Sequence, residues 1–164
     1  MPKEKLWPRA EAEAIWKEVL PELKGYSRME VCGSYRRKCD EVHDLDVVVV
    51  VSSIDEFVNS VTKVASEVLS SGPALIYMQT KSGMQIDFMF SRPEEIEPMM
   101  LHFTGSKMFN IFCRSDAKKR GWKLNQYGLY DVRNMLGSPV ALTEEGILTA
   151  LGRYWFIDPK RRSL

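Results

Sequence analysis

The 164-residue chain has almost no net charge, three cysteines and no long apolar run, and each shortage removes a class of protein. The longest uninterrupted apolar run is Val47 to Val51, far short of the roughly 20 residues that span a bilayer. The start, MPKEKLWPRAEAEAIW, lacks an apolar h-region, so no signal peptide is expected. Cys32, Cys39 and Cys113 are an odd set without CxxC spacing; reduced thiols in an intracellular protein are expected rather than a Cys32–Cys39 bridge. Repeats and low-complexity segments are also missing. With 45% hydrophobic and 27% charged residues, a disordered or collagen-like chain is excluded, and one or two small domains remain.

The near-zero charge conceals a division. Residues 1–106 carry 12 Lys and Arg against 17 Asp and Glu, a net −5, and residues 107–164 carry 11 against 5, a net +6. An acidic front half suits cation binding and a basic back half suits a polyanion. A solvated surface with uneven charge would show the same counts.

Pro8 can open a helix whose stripe is Ala10, Ala12, Ala14, Ile15, Val19 and Leu23, interrupted at Pro21. Arg28–Cys32 reads as a strand, followed by a turn or short helix at Gly33-Ser34-Tyr35-Arg36-Arg37. The β-branched run Leu45–Ser52 predicts a central strand buried on both faces. Asp55 is expected to cap a helix reaching about Leu69, and a hairpin should join Leu75–Thr80 to Met84–Phe90. After Pro93 the texture changes. Gly105–Arg120 predicts a basic helix with Met108, Ile111, Phe112 and Ala117 inward, and short strands should surround Gly128. Thr143 is expected to cap a final helix to about Leu151. A boundary near residue 104 coincides with the charge division.

Asp44 and Asp46 are two apart at the head of the most strand-like segment, so period two puts both on one face and Leu45 on the other. Asp87 opposes Ile86 and Phe88 in the same way. If the strands are neighbours, three carboxylates converge and need a cation between them; magnesium takes such oxygens and keeps positions for phosphate. Two ions about 4 Å apart can clamp an in-line phosphoryl transfer. An isolated Asp-x-Asp fits a solvated strand end equally well. Asp87 in so apolar a strand fits that reading less, because a buried charge needs a partner. Gly33-Ser34 lies between strand and helix start, where free N–H groups favour phosphate, and Arg37 adds a fork that matches phosphate oxygens.

The ordered set Gly33-Ser34-Tyr35-Arg36-Arg37, Asp44-Leu45-Asp46, Ile86-Asp87-Phe88 and His102-Phe103-Thr104-Gly105-Ser106 resembles DNA polymerase family X of the nucleotidyltransferase superfamily. Lys123 to Leu129 and Asp158-Pro159-Lys160-Arg161 continue the likeness, which covers about residues 8–162.

The resemblance implies an α+β fold: a nucleotidyltransferase palm, residues 1–104, with a mixed sheet and flanking helices, and a small C-terminal α/β subdomain, residues 105–164, facing DNA and the nascent base pair. It implies that Asp44, Asp46 and Asp87 are catalytic and hold two Mg²⁺ ions, with Mn²⁺ as an alternative. Gly33, Ser34 and Arg37 would hold the triphosphate, with His102, Phe103 and Gly105 on the sugar and Asn110 beside the new pair. Arg114, Lys118, Lys119, Arg120 and Lys123 would face DNA, as would Lys160, Arg161 and Arg162. The implied partners are gapped or primed DNA, deoxynucleoside triphosphates and a DNA ligase, for a monomer acting inside the cell or at a viral replication site.

The chain also departs from the larger members. About seven residues precede the first helix, so no lyase or helix–hairpin–helix domain is expected. His102 stands where many relatives have tyrosine, and Gln85 where many have arginine; both features resemble reduced, viral members. His43 reads as a loop histidine, Tyr35 as packed and Arg36 as solvated. Trp7, Trp16, Trp122 and Trp155 read as packing residues. Two other functions remain open: a nucleotidyltransferase acting on a small molecule or RNA end, and a non-catalytic DNA-binding module.

Overall fold

The computed structural model describes residues 5–164. Its centre is a five-stranded mixed sheet of β2 (Tyr26–Val31), β4 (Asp44–Val51), β5 (Glu67–Ser71), β6 (Leu75–Gln79) and β7 (Gln85–Ser91), in spatial order β2-β4-β7-β6-β5. Only the β4–β7 pair is parallel. A two-residue ribbon, β1 (Trp7–Pro8) with β3 (Glu41–Val42), lies apart from it. Helices α1 (Arg9–Val19) and α3 (Ile54–Val64) cover one face, where Ala12, Ile15, Phe57 and Val61 meet Leu45, Val47, Ile86 and Phe88. On the other face, Ile96, Met99 and Met100 of α4 (Ile96–Thr104) cover Val48, Val50 and Met89. Strand β4 explains the site. Its odd positions enter the first core and Val48 and Val50 enter the second, while Asp44 and Asp46 precede the α4 cover on that second face.

The short helix α2 (Gly33–Arg36) leads out of β2. The C-terminal lobe consists of α5 (Lys107–Lys119), the hairpin β8 (Trp122–Asn125) and β9 (Gly128–Asp131), and α6 (Glu144–Ala150). Phe109, Cys113, Leu129, Ile147 and Leu148 form its core, with Leu101 inserted from α4. Helix α4 thus supplies residues to the cores on both sides. Two 3₁₀ turns, Tyr154–Ile157 and Pro159–Arg162, close the chain. All three cysteines are free thiols. No described helix is long and apolar enough to cross a membrane.

Several expectations need correction. β4 is interior, but β7 holds the central place. Ser53, not Asp55, caps α3, its hydroxyl accepting from the Glu56 N–H at 3.3 Å. That helix stops at Val64, and residues 67–71 form an edge strand. Val64 and Val68 suit a helical stripe or a strand equally well; pairing with β6 decides for the strand. Helix α4 was not anticipated, because it is apolar nearly all round and contains Pro98. Proline is tolerated in a first helical turn, where its missing N–H would have no partner. Ala10 and Ala14 face solvent, and Met108 and Ile111 of α5 are exposed while Phe109 and Cys113 turn inward.

Candidate active site

Parallel pairing sets Asp46 directly opposite Asp87, and Asp44 opposite Gln85. Asp44, Asp46 and Asp87 each offer a carboxylate oxygen within 4.8 Å of the others. Burial, then the charges of Asp44 and Asp87, push the Asp46 carboxyl up to about 7, with Arg37 pulling against them. Burial also raises Asp87, to about 6, with Asp44 adding to the rise. Gln85 partly offsets it by donating from Nε2 to Asp87 Oδ1 at 2.7 Å. Gln85 therefore orients the third carboxylate as a neutral donor, without a cation.

The turn after β2 is pressed against this cluster. Gly33 has φ +63, and a Cβ there would lie 2.5 Å from Asp46 Oδ2. Only glycine permits both that backbone and that approach. From the end of α2, Arg37 donates from Nη1 to the Thr104 carbonyl at 2.6 Å and from Nε to the Ser163 hydroxyl at 2.9 Å. The arginine expected at the triphosphate is thus braced by the end of α4 and by Ser163 of the C-terminal lobe.

A cleft of about 570 Å³ opens between these elements. Gly33, Ser34, Arg37, Asp44 and Asp46 line one side, and His102, Phe103, Gly105, Asn110 and Arg114 line the other. His43 is exposed at its margin. Asn110 Nδ2 donates to the His102 carbonyl at 2.7 Å, and Arg114 Nη2 lies 2.7 Å from His102 Nδ1. An arginine can only donate, so Nδ1 accepts and the ring proton sits on Nε2. Burial and then Arg114 lower the His102 pKa, so the ring is neutral at pH 7. Lys118, Lys119 and Lys123 are exposed. Arg120 is engaged within its own lobe, donating to the Leu151 carbonyl at 3.1 Å beside Asp116.

Comparison with known proteins gives the family. The family model of the DNA polymerase beta palm matches residues 7–93, and that of the DNA polymerase beta thumb matches residues 99–163. The chain belongs to DNA polymerase family X. Repair DNA polymerase X of African swine fever virus (isolate Tick/South Africa/Pretoriuskop Pr4/1996) is 28% identical over 142 residues, covering 79% of this chain and 78% of the viral protein. The DNA polymerase/3′-5′ exonuclease PolX of Bacillus subtilis (strain 168) is 27% identical over 133 residues, 77% of this chain but 23% of its own length. A ternary gap complex of Leishmania infantum polymerase beta has the same fold, with a TM-score of 0.80 at 20% identity over 98% of this chain and 71% of that one.

Palm and thumb are joined through residues expected in solvent or at DNA. Arg36 is not solvated. Its Nη1 and Nη2 donate to Glu144 Oε1 and Oε2 at 2.7 and 2.6 Å, and Nη1 also reaches the Thr104 hydroxyl at 2.9 Å. Arg162, expected at DNA, is wholly buried and donates to Glu144 Oε1 at 2.9 Å. Its other donors go to the Phe156 and Ile157 carbonyls. Burial opposes ionisation of Glu144, but the hydrogen bonds and charges of Arg36 and Arg162 outweigh it and hold the carboxyl below its usual range. Nothing in the sequence marked this triad, since its members lie 108 and 18 residues apart. Trp155 is 62% exposed rather than core, with the Arg161 guanidinium 3.6 Å from its ring centre.

The palm carboxylates suit the divalent metal that polymerase beta-like enzymes use. The donor set is all oxygen, which fits Mg²⁺ or Mn²⁺. The carboxyls of Asp46 and Asp87 are raised because burial and their neighbours' charges outweigh the pull of Arg37 and Gln85, a balance that a divalent cation would reverse. Asp44, Asp46 and Asp87 are therefore the residues that would hold such ions.

Proposed function

We propose that this chain adds deoxynucleotides to a primer 3′-end under template direction and fills short gaps in duplex DNA during repair. Residues up to 104 act as palm and residues 105–164 as the lobe facing DNA and the nascent pair. The observation that carries this reading is the convergence of Asp44, Asp46 and Asp87 beside the Gly33-Ser34 turn, at a cleft closed on its other side by His102 and α5. The relatives support it: the viral one is named a repair polymerase, and the Leishmania one was captured in a ternary gap complex.

Two Mg²⁺ ions held by Asp44, Asp46 and Asp87 would lend Lewis-acid charge to the attacking and leaving oxygens. The protein's own share is positioning. Ser34 and the free N–H groups opening α2 bind the triphosphate, with the remaining guanidinium donors of Arg37. The neutral His102 presents Nε2–H beside Phe103 and Gly105 to the sugar. Asn110 and Arg114 fix that histidine as well as bordering the new pair. The carboxylate of Asp87 faces the incoming 3′-hydroxyl.

With a gapped duplex, the four deoxynucleoside triphosphates and magnesium, primers should grow by the base complementary to the template. Omitting the metal should stop growth. Transfer to an RNA end or small molecule without templated extension would favour the other nucleotidyltransferase reading. Binding without any extension would favour a non-catalytic module. A DNA ligase as the partner that seals the filled gap is part of the same reading, with the enzyme acting as a monomer.

Lys118, Lys119 and Lys123 are the cations best placed for DNA phosphates, since Arg120 is held by its own lobe. Changing all three to Gln should lower the slope of log affinity against log salt by about 2 to 3. A slope equal to that of the unaltered protein would remove these lysines from the DNA surface.

A further inference from the structure

The order of strands gives the reaction a direction across the sheet. The phosphate turn follows β2, Asp44 and Asp46 stand on β4, and Asp87 stands on β7, the next strand over. The cleft that would take the nucleotide reaches Asp44 and Asp46, and Asp87 is not among its lining residues. An in-line transfer needs the attacking oxygen opposite the leaving pyrophosphate. The nucleotide side is the α2 side, so the primer must arrive from the β7 side.

The next strand in that direction is β6. Antiparallel register places Tyr77 directly opposite Asp87, so both side chains rise from the same face of the sheet. Asp46, Asp87 and Tyr77 therefore form one row on three neighbouring strands. The tyrosine ring is half-buried against the apolar cluster under α4, which Phe103 also touches. A phenol keeps its proton at neutral pH. Its hydroxyl is a hydrogen-bond donor on the β6 side of Asp87.

We propose that Tyr77 is a primer-binding residue: its ring braces the face beside Asp87, and its hydroxyl donates to the sugar–phosphate of the primer's 3′-terminal nucleotide. This rests on the polymerase reading and adds the nucleophile side of the site to it.

The test is steady-state extension of primed DNA by Tyr77→Phe, which keeps the packed ring and removes only the hydroxyl. The KM for primed DNA should rise about three- to tenfold, the usual range for losing one hydrogen bond, while the KM for the nucleotide stays put. A primer whose last linkage is an uncharged methylphosphonate should weaken binding to the unaltered protein, and Tyr77→Phe should weaken it little further. An unchanged KM for DNA, a change confined to the nucleotide KM, or fully additive losses would overturn the assignment. Tyr77→Leu, which keeps apolar bulk under α4, should show the same KM split with an unchanged melting temperature. Asp87→Ala runs beside them. If that variant still extends primers, the polymerase site itself is misassigned; if it is dead while Tyr77→Phe behaves normally, only the role of Tyr77 fails.

Discussion

Asp46→Asn is expected to abolish primer extension and yet make the metal-free protein harder to unfold. The two effects come from one cause. Asp46 is held beside Asp44 and Asp87, where burial and their charges outweigh the pull of Arg37. Its charge, the one that would meet a divalent metal, is held at the expense of the fold. The folded-state values, about 7 for Asp46 and about 6 for Asp87, lie above the roughly 3.9 of an unfolded aspartate. The folded state therefore holds these protons more tightly. The stability they contribute is complete below about pH 4 and is lost as pH rises through 6 and 7. At pH 8 with a chelator, Asn at position 46 should recover on the order of 2 kcal/mol, after discounting for coupling and partial exposure. For a chain of this size that is a rise of about 5 °C in melting temperature. Extension should fall about a thousandfold or more, because a metal ligand and its charge disappear together. Calorimetry in chelator and single-turnover extension in magnesium check the two halves. Retained extension would mean that the metal lies elsewhere. Lower stability would mean that Asp46 is paired rather than strained.

Glu144→Ala should have the largest effect on stability, about 3 kcal/mol or more. The carboxylate carries two arginines, one of them wholly buried. Removing it leaves two guanidiniums facing each other in a poorly hydrated space, which costs far more than the intact pair contributes. Melting temperature should drop by roughly 6–12 °C. The pH dependence carries the opposite sign from that of the aspartates. The Glu144 carboxyl is held below its usual range, so its contribution is present above the unfolded value near 4.3 and is lost as the solution is acidified. The unaltered protein should therefore lose stability on both sides of mildly acidic pH when metal is removed, and Glu144→Ala should flatten only the acid side. An acid limb that survives the substitution would rule out the triad as its source. The catalytic consequence differs too. Arg36 comes from the palm, and Glu144 and Arg162 from the thumb, so the variant should loosen the two parts and lower extension without touching the carboxylate cluster.

The convergence of the three carboxylates was legible in the sequence because strand periodicity is local. Asp44-Leu45-Asp46 must put two carboxylates on one face wherever that strand sits, and the apolar alternation around Asp87 indicates its face as well. The turn at Gly33 was legible for a similar reason, since a glycine between strand and helix marks a close backbone approach. Helix α4 was not legible, because burial on nearly all sides erases the amphipathic signal that identifies a helix. Residues 67–71 were misread because Val68 and Leu69 continue the helical stripe of Val61 and Val64 as readily as they fit an edge strand, and only the pairing with β6 selects between them. Arg36 and Arg162 read as solvent-facing because charged residues are rarely buried unless paired, and their partner, Glu144, is distant in sequence.

By itself, then, the sequence marked the candidate groups: three aspartates with the right alternation, a glycine turn ahead of them, and a basic half after them. Those properties follow from local periodicity and composition. The tertiary structure alone decided which groups meet across the chain. Parallel pairing of β4 with β7 sets Asp46 opposite Asp87, antiparallel pairing adds Tyr77 to the same row, and the closing of the thumb on the palm turns three scattered charges into a buried clamp. Such contacts depend on register and on packing between distant segments; a one-residue slip of one strand would turn that strand's own side chains to the opposite face.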